Sequence, residues 1–169
     1  MESNSYLDRL LRHMAWANGE FIAQLARFPT ETWKLALPNE TGEEGTVGEI
    51  ARHFIRSSAF YVRRLDGKEP TNKYEVPTRA EDMLELAQFC RESDARLREE
   101  SYLPDGKTTF TRDGRLIERA RSTILGQSIH HATEHRAQIA SILTAHKAGR
   151  IDLDDLDVWS YSDAEGLGD

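Results

Sequence analysis

Residues 46–54 read Thr46-Val47-Gly48-Glu49-Ile50-Ala51-Arg52-His53-Phe54, and the fold is read outward from this stretch. Thr46 and Glu49 have the spacing of a capping box, in which the two side chains satisfy backbone N–H groups that a helix start leaves open. Downstream, Ile50, His53, Phe54, Ser57, Phe60, Tyr61 and Arg64 recur at steps of three and four. That is the period of a helix with one face turned to a core. Gly67 is placed to close it. His53 falls inside the stripe, so an imidazole is directed at the interior.

Three more segments carry the same period. The first spans about residues 4–28, with Leu7, Leu10, Leu11, Met14, Ala17, Phe21, Ile22 and Leu25 on one face and Pro29 at its end. A polar loop bounded by Pro38, Gly42 and Gly45 follows. Pro70 and Pro77 bracket the link to a third helix, which Thr78-Arg79-Ala80-Glu81 opens as a second capping box. Met83, Leu84, Ala87, Cys90 and Leu97 carry it to about Glu100. The last helix runs from about Ser122 to Lys147, with Gly149 as its stop. Before it, residues 108–112 and 115–119 flank Asp113-Gly114, a dipeptide suited to the positive φ angles of a tight hairpin turn. The reading is an all-α protein: a four-helix bundle with a short β-hairpin inserted before the last helix.

Length and charge narrow the function. The chain has 169 residues, enough for a single domain spanning 1–169. It carries 29 acidic and 22 basic side chains, a formal charge of −7. This opposes a nucleic-acid partner, which calls for a basic patch. One cysteine, Cys90, excludes an internal disulfide and a cysteine-rich zinc site. No stretch reads as a signal peptide or a membrane span, so the expectation is a soluble, cytoplasmic protein without a membrane partner.

The chemistry concentrates in the histidines. His131 and His135 are four residues apart, on the edge of the apolar stripe formed by Ile124, Leu125, Ser128, Ala132, Ile139, Ile142 and Leu143. Side chains so spaced stand about 5–6 Å apart on one helix face and can reach a single metal ion. A third ligand has to come from another element, and His53 on the second helix is the best candidate. Three inward imidazoles need a partner, and a divalent ion held by three of them keeps positions open for water or substrate. A lone inward histidine is more simply a core residue bonded to a carbonyl or carboxylate, and His13 and His146 read as of that kind or as simply exposed. His130 points outward beside Glu134. Gln127 and Gln138, each about a turn from a ligand, are candidates to orient the imidazoles. Glu49, one turn before His53, is a candidate base, although its capping role already accounts for it.

His131-Ala132-Thr133-Glu134-His135 also fits the H-x-x-E-H pattern of a class of metallopeptidases, with Glu134 as general base. Three fixed positions in five is a loose pattern, and Glu134 lies off the stripe. The acidic run from Asp152 to Asp157 lacks the glycine and final glutamate of a calcium loop and reads as a solvated capping segment. Trp16, Trp33 and Trp159 read as core or lid residues.

Trp16-Ala17-Asn18, the stretch Thr46 to His53, and His131-Ala132-Thr133-Glu134-His135-Arg136-Ala137-Gln138-Ile139 together resemble the DinB-like (damage-inducible) family of metal-binding proteins. Their order and spacing cover most of the chain. Ala137 stands where the family's H-x-x-x-H-R-G-Q motif has glycine, a mild departure because a helix interior favours alanine. The resemblance implies an up-down-down-up (DinB/YfiT-like) bundle, His53, His131 and His135 as metal ligands, nickel or zinc as the ion, and a homodimer. Characterised relatives include thiol-dependent S-transferases and isomerases.

Two functions follow as expectations. The first is a metal-dependent enzyme, a hydrolase or a thiol-dependent S-transferase acting on a small-molecule substrate, where the ion makes a nucleophile of water or of a low-molecular-weight thiol. The second is a non-catalytic metal-binding stress-response dimer. Specificity is expected to lie in the hairpin, the 38–45 loop and the C-terminal tail.

Overall fold

The computed structural model describes residues 5–37, 45–68, 75–112 and 114–167. Four long helices dominate it: α1 (Ser5–Leu25), α2 (Val47–Leu65), α3 (Ala80–Glu100) and α4 (Arg121–Ala145). Strands β1 (Lys107–Arg112) and β2 (Arg115–Ala120) form an antiparallel hairpin between α3 and α4, and a short helix α5 (Val158–Ala164) closes the chain. Short 3-10 turns occupy Thr30–Lys34 and Asp154–Leu156, neither of which the periodicity announces. The expected Pro38, Gly42, Pro70 and Asp113 lie outside the described residues. No described helix is long and apolar enough to cross a membrane.

The helix ends show the backbone chemistry at work. Thr46 caps α2 as expected: its hydroxyl accepts from the Glu49 N–H at 3.2 Å, while Glu49 accepts from the Thr46 N–H at 2.9 Å. At the other end, Gly67 takes φ +66°, and the Lys68 N–H reaches the Arg63 carbonyl at 2.8 Å, a glycine-terminated stop. Two expected ends are corrected. At α3, Asp82 and not Glu81 reaches back, its Oδ2 accepting from the N–H groups of Thr78 and Arg79, both at 3.0 Å. The shorter carboxylate one residue later meets both donors, so the helix starts at Ala80. At the end of α4 the stop comes before Gly149, at Lys147, which takes φ 53°, while Gly149 itself takes φ +131°. The Ala148 N–H then reaches the Leu143 carbonyl at 3.0 Å. Gly149 serves a different need, because a Cβ there would stand 2.6 Å from Cε1 of Phe28. The start of α4 has no side-chain cap of its own; Asp105 supplies it from the preceding loop, accepting from the Ser122 N–H at 2.9 Å and its hydroxyl at 2.7 Å.

α1 packs on α3 and α4, and α2 packs on the same two helices, so α1 and α2 face each other diagonally. Two apolar clusters fill the interior. One gathers Phe21, Ile22, Ile50, Phe54, Met83, Leu86, Ile139 and Leu143, with the Phe21 and Phe54 rings edge to face at 6.4 Å. The other gathers Leu11, Met14, Tyr61, Leu97, Ile124, Leu125 and Phe110 of the hairpin. Leu10 and Leu84, expected in the core stripes, are turned out, and Leu86 takes the inward place on α3. Trp33 is buried, its indole N–H donating to the Leu25 carbonyl at 3.2 Å. Trp16 packs against Tyr161 of α5 at 5.4 Å between rings. Trp159 is 82% exposed, a correction to its expected role as core or lid: it sits in a short helix whose inward position belongs to Tyr161.

Candidate metal centre

Between the two apolar clusters the interior turns polar. His53 on α2 meets His131 and His135 on α4, as their positions in the two stripes require. Nε2 of His131 lies 3.1 Å from Nε2 of His53 and 3.1 Å from Nε2 of His135. The three ligand atoms lie within 4.8 Å of one another. Bonds of about 2.0–2.1 Å from an ion to imidazole nitrogen place neighbouring nitrogens of a four- or six-coordinate ion about 2.9–3.4 Å apart. Both 3.1 Å spacings fit that range.

The electrostatics favour a neutral His131. Burial depresses His131 to a pKa of about 3, with further lowering from His135, His53 and Arg64. A neutral imidazole keeps the lone pair that a metal needs. Nδ1 of His135 lies 2.9 Å from Oε1 of Gln138. An amide oxygen only accepts, so Nδ1 donates to it, and the neutral ring in that tautomer keeps its lone pair on Nε2.

The other expected residues separate. Gln127 is exposed and hydrogen-bonded to the Tyr61 phenol, and the Tyr61 ring stands edge-on to His131 at 5.8 Å; its link to the ligands runs through that tyrosine. Glu49 is committed to the start of α2, where Oε2 also accepts from the Thr46 hydroxyl at 2.8 Å, and its pKa is lowered by those bonds. The capping duty takes the carboxylate away from any role as base. Glu134 is 63% exposed and faces His130 at 3.7 Å, so the H-x-x-E-H reading loses its general base. His13 is buried and bonded through Nε2 to the Leu156 carbonyl at 2.9 Å, whereas His146 is exposed and bonds the Ala36 carbonyl at 2.7 Å.

The fold also assembles groups that periodicity did not single out. Arg136, next to His135, is buried and donates to Asn18 Oδ1 of α1. Asn18 Nδ2 donates in turn to Asp94 Oδ2 of α3 at 2.9 Å, and the Cys90 thiol reaches the same oxygen at 3.3 Å. This chain of polar groups links α1, α3 and α4 behind the imidazoles. Asn18 and Arg136 stand in the stretches that carry the family resemblance, but nothing in the linear chain pairs them with Asp94. Burial pushes the Asp94 carboxyl up and lowers Arg136 to about 10, which leaves the guanidinium protonated at neutral pH.

On the other side of the imidazoles a cavity of about 590 Å³ opens, lined by His53, His131, Tyr61, Arg64 and residues of the hairpin. The expectation that the hairpin borders the site agrees with this. The tail instead packs on α1, through His13, Trp16 and Tyr161, because that helix offers the aromatic face it covers.

The model of the DinB family matches residues 1–156 of the chain. No curated protein matches it.

Proposed function

This chain belongs to the DinB family, and from that premise we propose that it is a divalent-metal-dependent enzyme acting on a small molecule held beside three imidazoles. One observation carries the reading: His53, His131 and His135 bring their ligand atoms within 4.8 Å of one another, beside a cavity that His53 and His131 line. A purely structural ion would be closed off by a fourth protein ligand, whereas three ligands leave a position open. Bound there, nickel or zinc supplies Lewis acidity, making a nucleophile of a water or of a low-molecular-weight thiol at neutral pH. Three imidazoles do not choose between the two metals.

The protein's own residues hold the geometry. Gln138 fixes the orientation of His135, and the Arg136–Asn18–Asp94 chain ties α4 to α1 and α3 behind the ligands. The reaction is a hydrolysis or a thiol transfer; the thiol cosubstrate and a homodimer rest on the family resemblance alone. An up-down-down-up helix order is part of the same reading. Asp8 with Arg98 and Asn18 with Asp94 support α1 running against α3. His53 with His131 and Tyr61 with Gln127 support α2 running against α4. Asn18 with Arg136 and Leu11 with Leu125 support α1 running along α4.

The test is metal content together with turnover. Protein made without a histidine tag, stripped and then repleted with nickel or zinc, is expected to hold one ion per chain by elemental analysis. His53→Ala is expected to lose the ion and all turnover in a screen of thiols against electrophiles and of ester substrates, while keeping its helical circular dichroism. A His53→Ala chain that no longer folds points to the second reading, an ion that only knits α2 to α4. Wild type without an ion after repletion refutes both.

A further inference from the structure

We propose that Tyr61 and Gln127 together hydrogen-bond the carbonyl oxygen of the substrate, which makes the substrate of this cavity a carbonyl compound such as an ester or a ketone. The inference rests on the reading of the three-histidine centre as catalytic and names the group that its substrate presents. Along α2, Ser57 and Tyr61 follow His53 at steps of four, and along α4 Gln127 precedes His131 by four. Steps of four return to one helix face, and all five residues line the cavity of about 590 Å³. The Tyr61 ring stands edge-on to His131 at 5.8 Å, which keeps the phenol beside the imidazoles.

The pair is placed to donate. Tyr61 is 7% exposed, and the Arg64 guanidinium lies over its ring at 5.4 Å, so the ring has little freedom. Gln127 bonds the phenol and thereby places the hydroxyl. A phenol keeps its proton at neutral pH, and a carboxamide carries two N–H groups. One bond between them uses one of three donors, so a donor remains on the pair whichever way that bond runs. Ser57 and Thr123 also line the cavity, but a serine or threonine hydroxyl on a helix can turn to the carbonyl one turn back, which a phenol cannot reach. Hydrolysis and thiol transfer at a carbonyl both call for such a donor. The nucleophile's lone pair forms a bond to the carbonyl carbon, its proton passes to solvent, and the C=O π pair moves onto the oxygen. When that pair returns, the leaving group departs with its bonding pair and takes up a proton from solvent. Donors held at the oxygen contribute most while it carries the charge.

Acetophenone and α-methylstyrene, which has CH2 in place of the carbonyl oxygen, test this when titrated calorimetrically into metal-free and metal-repleted protein. The metal-free arm decides, because an ion can itself take a carbonyl oxygen, whereas Tyr61 and Gln127 belong to the fold. The ratio of the two affinities is the quantity read. Tyr61→Phe keeps the ring and removes the hydroxyl, and Tyr61→Phe/Gln127→Leu removes every donor of the pair. The double variant is expected to lower the relative affinity for the ketone about threefold or more, because its oxygen then lies desolvated without a partner. Circular dichroism and metal stoichiometry are expected to stay unchanged. Should the double variant not fold, at least one single variant is expected to show that loss; the single variant with the larger loss identifies the donor. A smaller loss, or wild type that does not bind acetophenone, overturns the proposal. Elemental analysis of the same samples separates the two readings: protein that takes no ion yet shows the loss refutes the metal centre alone, and protein that takes one ion with an unchanged ratio refutes the carbonyl site alone.

Discussion

Replacing Gln138 by leucine removes the amide oxygen that Nδ1 of His135 meets and leaves all three histidines in place. The bond is between neutral groups, Nδ1 to Oε1 at 2.9 Å, and such a bond contributes about 1 kcal/mol net. Its loss also frees the ring to rotate and lets the proton move to Nε2, where it blocks the lone pair. Partners of this kind typically change metal affinity by about 10–100-fold, which corresponds to about 1.4–2.8 kcal/mol. The lower end matches the bond alone, and the upper end includes the wrong tautomer. Gln127→Leu is the control, because Gln127 bonds Tyr61 and reaches the ligands only through that ring; its effect is expected to stay within about threefold. Competition against a chelator of known affinity, with circular dichroism to confirm folding, measures both. Affinity of Gln138→Leu within about twofold of wild type, or equal losses in the two variants, would refute the argument that His135 is oriented from Nδ1.

Other substitutions probe the scaffold. Arg136→Leu leaves Asn18 Oδ1 and the buried Asp94 without their cation and is expected to cost about 3–5 kcal/mol in urea denaturation of the metal-free protein; a loss under about 1 kcal/mol contradicts the role given to that chain of bonds. Lys147→Gly relieves a side chain held at φ 53° and should raise stability by about 0.5–1 kcal/mol. Gly149→Ala, which drives a Cβ into Phe28, should lower it by about 1 kcal/mol or more; both are read from the denaturation midpoint. For pH, the folded His131 titrates at about 3 against an ordinary 6.5, so the unfolded chain binds more protons between those values. The corresponding stability is complete above pH 6.5 and is lost progressively as pH falls toward 3. Metal-free wild type should lose stability over that window more steeply than His131→Gln, and parallel curves for the two would show that burial does not hold this imidazole neutral.

Much of the molecule is legible in the linear chain because helix starts, stops and stripes are local. Thr46 and Glu49 are neighbours on one turn, so their bond follows from spacing, and the steps of three and four that put His53, His131 and His135 on inward faces are properties of the helix itself. Local competition is harder to read: Asp82 outcompetes Glu81 for the open N–H groups of α3 because its oxygen reaches two of them. Stripe edges are equally ambiguous, since Leu84 and Leu86 both suit an inward place and only packing chooses Leu86.

Local chemistry thus determined four helices, a hairpin and three histidines aimed at an interior. The tertiary arrangement alone decided that the nitrogens of α2 and α4 stand 3.1 Å apart, that Arg136, Asn18 and Asp94 join across three helices, and that the hairpin swings Arg112 and Arg119 to the imidazoles. The physical reason is range. A helical period records which way a side chain faces, but it holds no record of what another helix, many residues away, brings to meet it.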